Sequence, residues 1–444
     1  MSDSPAVQAP LDPQEQPILE SLLAIRDKLL LLKQDKSTYI KSQDVISLYD
    51  QVVGQVHKLS EVRIDKIDKQ NRLDRVLDDC FQLISLFFMT IGRNNEAPAV
   101  YATTSTIKRL LDHLTETALY CAKDLQSITN TLESTRTIIC QGKDTYSSQL
   151  LTLLEGRLQT CTALKQRLQD RLALLSPEME PVQEKLISIL RCISAANTRH
   201  KVPPPQFPAN EVKGLQDQLK EIAATRVDGK FVGSDGNDLG GQDLVGDLLN
   251  RCLTWSDMVL AREGRIDDRF KSTYDKLLEI RNKLEKLSLT QAWSLRETDL
   301  FSYQRQLDQI DEARVQGNFV DDQGNEAELF DQRTLLYLLR RSYAFIYSLI
   351  VSSEPVSEAL LPVFNQLQTL RRCLLEVKRS GGVSSPRELY PYSMKLHSIE
   401  STRIDGKFMV GSDIPEGQGS VNALLAECFD LNYELRVSAE DDSD

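Results

Sequence analysis

Three stretches of the chain set an arginine, a glycine and a phenylalanine within a span of six residues: "ATRVDGKF", "EARVQGNF" and "STRIDGKF". They contribute Arg226, Asp228, Gly229, Lys230 and Phe231, then Arg314, Gly317 and Phe319, then Arg403, Asp405, Gly406, Lys407 and Phe408. A guanidinium fork beside an ammonium is suited to phosphates or to the carboxylates of a partner. In the middle copy, however, Gln316 and Asn318 replace the acid and the lysine, whereas arginine, glycine and phenylalanine persist. What recurs is backbone chemistry, so the phrase reads first as a structural turn. Its arginine then satisfies helix-end carbonyls or pairs with a nearby acid.

Other side chains offer less. The loops after the phrases, "VGSDGNDLGGQD", "VDDQGNEAE" and "MVGSDIPEGQGS", cluster carboxylate and amide oxygens but lack the alternating acids and closing glutamate of a calcium loop. The eight cysteines lack C-x-x-C spacing and read as free thiols packed like small apolar residues in a reducing compartment. His57 and His397 stand six residues before Arg63 and Arg403, but Lys220 and Asp308 fill that place before Arg226 and Arg314, the mark of a solvated helix face. Nucleophile elbows, phosphate-binding glycine loops and metal-binding helix motifs are missing from the sequence, so no catalytic residue, cofactor or metal is expected.

The elements that carry the phrases are helical. "VKGLQDQLKEIAATR" spaces Val212, Leu215, Leu219 and Ile222 by three and four, so a helix precedes the phrase and the glycine is expected just past its end, in the left-handed region. The phenylalanine then folds back on that helix. The "RVDGKFV" stretches allow short hairpins, but no alternating run would build a sheet. After each loop another helix carries "LLNRCLTW", "LLRRSYAF" or "LLAECFDL", which aligns Cys252, Ser342 and Cys428 as a column of small residues at a close helix contact.

A second anchor gives the period. Arg191, Arg281 and Arg371 recur every 90 residues, and Arg226, Arg314 and Arg403 recur after 88 and 89. An earlier copy is marked by Arg26, Arg63 and Cys80 but lacks the glycine turn. Between it and Arg191 there is room for one more, with Arg109 and Arg136 as its weak markers. The expectation is an all-α protein of repeated three-helix units of about 88–90 residues, forming fused bundles or an array. The divisions expected are a disordered arm over 1–14, units over 15–95, 177–265, 266–352 and 353–437, a degenerate unit or inserted helical pair over 96–176, and an acidic disordered tail over 438–444. Ser4 and Ser438, in the two tails, are candidate phosphorylation sites.

The R-[VI]-D-G-K-F phrase, its return after long helices and the "LLAECFDL" ending resemble a fungal family known as a domain of unknown function, with soluble yeast members of about this size. The resemblance spans nearly the whole chain and implies a non-secreted protein of cytoplasm and nucleus, with no activity or catalytic residues to carry over. The first unit lacks G-K-F after Asp65 and so departs from the pattern.

Bulk properties agree. A formal net charge of −12 opposes nucleic acid and anionic membranes. The most apolar run, "FQLISLFFMTIG", is shorter than the roughly 20 residues a membrane helix needs and reads as core. The function expected is a non-enzymatic helical interaction or scaffold protein with unknown protein partners. The alternative is an enzyme or small-molecule binder with a site between units near the glycine-acid loops.

Overall fold

Helix signals in the sequence act where they stand. The structure, a computed structural model, describes residues 12–63, 71–199, 207–227, 229–233 and 239–441. In it α3 opens on a capping box: Asn71 accepts from the Leu73 amide while Asp74 accepts from the amide of Asn71. Prolines fall in the first turns of α1, α7, α13 and α14, where a missing amide proton costs nothing.

The helices fall in threes. The first set is α1 (Gln16–Gln34), α2 (Ser42–Val62) and α3 (Arg72–Thr90), and the second is α4 (Val100–Thr117), α5 (Ala122–Gln141) and α6 (Ser148–Leu172). The third is α7 (Glu180–Asn197), α8 (Ala209–Ala224) and α9 (Gln242–Arg262). The fourth is α10 (Lys271–Ser294), α11 (Leu300–Glu312) and α12 (Leu329–Val351), and the fifth is α13 (Leu361–Arg379), α14 (Tyr390–Glu400) and α15 (Gln418–Asp441). The fold is all-α, and among the described residues the extended structure amounts to one two-stranded ribbon and isolated bridges.

Within a set the first and third helices pack face to face, and a small residue marks the closest approach. Cys80 donates its thiol to the Leu22 carbonyl at 3.7 Å, Cys252 to Leu186 at 3.7 Å and Cys428 to Leu367 at 3.5 Å. In the second set Cys161 does the same to Thr104 at 3.6 Å, so the small-residue column includes a member the sequence alignment passed over. Residues 96–176 therefore hold a full set of three helices and not an inserted pair. Arg109 stands five residues after Thr104, as Arg191 stands after Leu186, whereas Arg136 is an exposed residue inside α5. Ser342, the fourth-set member, is fully buried but turns its hydroxyl to Leu338 of its own helix.

The sets do not simply stack in sequence order. The first, second and fourth share one continuous apolar core, while the third and fifth each close around their own. α12, the described helix long and apolar enough by composition to cross a membrane, packs instead against α10 and α4 in the shared core. The run expected to be core, now the second half of α3, is buried throughout from Asp79 to Thr90. The fifth set docks on the body through Arg93 and Glu416 at 2.6 Å and through Tyr39 and Asp413 at 2.8 Å. The nearly buried Arg296 adds ties to Glu358 and the Asp35 carbonyl.

Residues at the edges of both expected tails are ordered. Residues 12–14 form a turn capped by the Asp12 carboxylate, because Glu15 must be buried against Arg63 and Asn71. α15 runs on to Asp441, so Ser438 is an exposed helical residue whose hydroxyl donates to the Glu434 carbonyl at 3.0 Å. Ser4 lies outside the described residues.

Candidate functional site

Each repeated phrase is a hairpin and not a helix terminus. α8, α11 and α14 end at Thr225, Ala313 and Ser401, each in right-handed geometry. The glycine comes later, at the tip of a turn bridged by Val227 with Lys230, by Val315 with Asn318, and by Arg403–Ile404 with Lys407–Phe408. Gln316 and Gly317 have φ of 50° and 85°, and Asp405 and Gly406 have 49° and 76°. Two consecutive left-handed residues are the type I′ pattern, which explains the preference for Asp-Gly. Gly229 shares it at 80°; Asp228 lies outside the described residues.

The returning phenylalanine is buried in every copy, with backbone groups that the short ribbon leaves unpaired. A glutamine from the first turns of the next helix supplies them. Gln332 accepts from the Phe319 amide at 2.8 Å and donates to its carbonyl at 2.9 Å. Gln418 does so for Phe408 at 2.9 and 2.7 Å, and Gln242 accepts from the Phe231 amide at 2.9 Å while donating to its carbonyl. This clamp escaped the sequence analysis, because the interval from phenylalanine to glutamine is 11, 13 or 10 residues.

The hairpins do not converge. Phe231, Phe319 and Phe408 enter three different cores. Arg226 lies over the Phe231 ring, Arg314 grips Glu116 with two bonds of 3.0 Å, and Arg403 donates to Glu400 at 2.9 Å. Lys230 and Lys407 are exposed at the tips. The loop that follows spends its acid on itself: the Asp321 carboxylate takes the amides of Gln323 and Asn325 and the Arg269 guanidinium, and its pKa falls to about 2.

Convergent charge lies elsewhere. Where α3, α4, α6, α11 and α12 meet, they enclose a cavity of about 670 Å³. Arg157 projects from α6 to donate to the Tyr101 hydroxyl at 2.7 Å and to Ser105 at 2.5 Å, its guanidinium 4.0 Å above the tyrosine ring. Tyr101 donates to Asp78 at 2.5 Å. Across the basin Tyr343 donates to Asp308 at 2.7 Å, and Arg305 sets Nε 3.2 Å from Asp79 Oδ1. Arg109 faces Asp308, Asp311 and Glu312 at 3.4 to 3.5 Å.

Burial decides the electrostatics. It pushes both tyrosine hydroxyls well above their ordinary range, so they stay protonated and act as donors. It also raises the carboxyls of Asp79 and Asp308, against the pull of Arg305 on one and Arg109 on the other. Asp308 is thus no solvated helix face. It is the half-buried acid of an inter-unit site, and its helical spacing alone gave no sign of that.

The profile of a family described as a protein of unknown function (DUF2408) matches residues 172–297 and 353–444. A CUB1 family protein of Schizosaccharomyces pombe is 41% identical over 98% of this chain and 95% of its own length. The chain belongs to the CUB1 family. A second relative, named Cu(2+) suppressing and bleomycin sensitive protein 1, from Saccharomyces cerevisiae, is 37% identical over 96% of this chain and 91% of its own. No solved structure matches the chain.

In this CUB1 family chain the two profile stretches take in the Arg226 and Arg403 hairpins and leave out the Arg314 hairpin. All the residues lining the basin also lie outside them, although the relatives align across nearly the whole length. Among the described residues no three of histidine, cysteine, aspartate or glutamate stand together as metal ligands.

Proposed function

We propose that this CUB1 family protein is a non-enzymatic binding protein, a helical scaffold that receives its partner at the basin between the first, second and fourth sets. One observation carries the reading: the charged groups of the basin are held in pairs. Arg157 and Tyr101 hold Asp78, Arg305 stands against Asp79, and Arg109 and Tyr343 hold Asp308. A general base needs a carboxylate free to reach a substrate proton, and a fixed lattice of donors and acceptors is better suited to recognition. The hairpins serve as joints, each seated in its own core. Eight free thiols fit action in a reducing compartment, the cytoplasm and nucleus.

Gly156 supplies the test. It lines the basin on α6, and a β-carbon placed there meets nothing within 4 Å. A tryptophan at this position grows into the basin while leaving the backbone undisturbed. Tagged wild-type protein isolated from its own cells should retain partners that Gly156→Trp loses at unchanged thermal stability. Equal retention by both proteins, or substrate turnover by the wild type, would overturn the reading.

A further inference from the structure

We infer that the face where α12 meets α9 and the α4–α5 connection is a binding site for a compact oligophosphate, the pyrophosphate or triphosphate group of a small molecule. Its arginines are not among the residues that line the basin, so it is a second site.

Three arginines gather there from two helices. Arg333 and Arg340 stand seven residues apart on α12, two turns along one face. Arg251 stands on α9 one turn before Trp255, and the Arg333 guanidinium lies over that ring at 5.8 Å. The α4–α5 connection brings the other two heads together: the Thr117 carbonyl accepts from Arg251 at 2.9 Å, and the Leu119 carbonyl accepts from Arg340 at 3.5 Å.

These three charges have no carboxylate of their own. Among the described residues Arg333 makes neither a hydrogen bond nor an ion pair, and Arg251 and Arg340 have carbonyl partners alone. The acids that face them are engaged elsewhere. Arg191 takes Asp124 at 2.6 Å, Arg314 takes Glu116, and the exposed Asp247, one turn before Arg251 on α9, makes no ion pair with it. All three arginines are half-buried, and none of their unbonded nitrogens is among the side-chain atoms sealed from solvent. Their heads are therefore open to a ligand.

The groups themselves register the excess charge. Burial and then the like charge of Arg251 lower the Arg333 guanidinium, and burial and then Arg191 lower that of Arg340 to about 10. Both stay charged at neutral pH, so the repulsion persists until an anion offsets it. Guanidinium forks take phosphate oxygens in pairs, and three forks along two helical turns suit a short chain of phosphates better than a single one. The net charge of −12 sets the size of the ligand. Acidic surface more than about 8–10 Å away is screened at physiological salt, so a compact anion meets the local excess, whereas nucleic acid or an anionic membrane would also lie over the acids.

Calorimetric titration of the full-length protein in metal-free buffer tests the assignment with pyrophosphate, tripolyphosphate, ATP, sulfate and a single-stranded oligonucleotide. Pyrophosphate or tripolyphosphate should bind at least about tenfold more tightly than sulfate. ATP binding above tripolyphosphate identifies a nucleotide as the carrier, and the reverse order identifies a free oligophosphate. Arg333→Gln and Arg340→Gln should each weaken tripolyphosphate binding about tenfold. The rise in melting temperature that tripolyphosphate causes, read within each variant, should shrink in parallel, which separates lost binding from lost stability. Sulfate binding as tightly as the phosphate probes, the oligonucleotide binding above all of them, no heat from any phosphate probe at millimolar concentration, or tripolyphosphate binding untouched in both variants would overturn the inference. Loss of binding in Gly156→Trp with both arginine variants still binding would overturn it too, by moving the anion to the basin.

Discussion

The side-chain amide of Gln332 is bonded to both backbone groups of Phe319, standing in for the neighbouring strand that a two-residue ribbon does not have. The same clamp recurs at Gln242 and Gln418, so one local solution seats three hairpins in three cores.

Gln332→Leu removes both bonds and leaves the Phe319 amide without a partner, while its carbonyl keeps the Ala327 amide at 2.9 Å. The cost should be about 1–3 kcal/mol, read as a lower urea midpoint at unchanged slope. A midpoint equal to wild type would show that the clamp contributes nothing.

Gly406 sits at φ of 76° with open space around it, so a substitution there meets strain only from the backbone. Gly406→Ala should cost about 1 kcal/mol and Gly406→Asn distinctly less, because asparagine tolerates the left-handed region. Equal losses for the two variants would contradict the assignment of the turn. This part of the fold was half legible. Asp-Gly announced a turn, but the preceding helix periodicity drew the glycine to the helix end, and the varying interval to glutamine hid what holds the hairpin.

Thiol chemistry separates the cysteines. Burial pushes the thiols of Cys80 and Cys252 up to about 12 and those of Cys161 and Cys428 up to about 11. Cys140, Cys192 and Cys373 are exposed. Brief alkylation of the native protein followed by peptide mass mapping should mark the exposed three and spare the buried five, Cys121 included, until denaturant is added. Early labelling of Cys161 would refute the packing of α6 against α4.

Acid should loosen the first set. The hydrogen bond from Arg63 holds the Glu15 carboxyl below its ordinary 4.5, with Asn71 adding to it against the opposing effect of burial. A carboxyl depressed in the folded state stabilises the fold above its unfolded value, and this contribution is lost as pH falls below 4.5 through the lowered value. Glu15→Gln should therefore be less stable than wild type at neutral pH, with the difference shrinking toward pH 3 in denaturant titrations. A difference that grows on acidification would reverse the sign and refute the network.

The basin was not legible at all, for a physical reason. Its walls come from α3, α4, α6, α11 and α12, and each contributes polar residues at helical spacing that look like a solvated face. Sequence periodicity shows which face of a helix is polar. It does not show that the polar faces of the first, second and fourth sets turn toward one another, because that follows from the fourth set skipping the third to share their core. The all-α class and the cysteine column were readable because they rest on helical spacing and on contacts within one set.

Hydrogen exchange of the full-length protein, alone and with the partner that the wild type retains, tests the central claim most directly. Protection should concentrate on the basin segments around Asp78–Gln82, Ser105–Arg109 and Gln304–Asp308. Protection at the hairpin tips around Gly229, Gly317 and Gly406, with the basin unchanged, would contradict it.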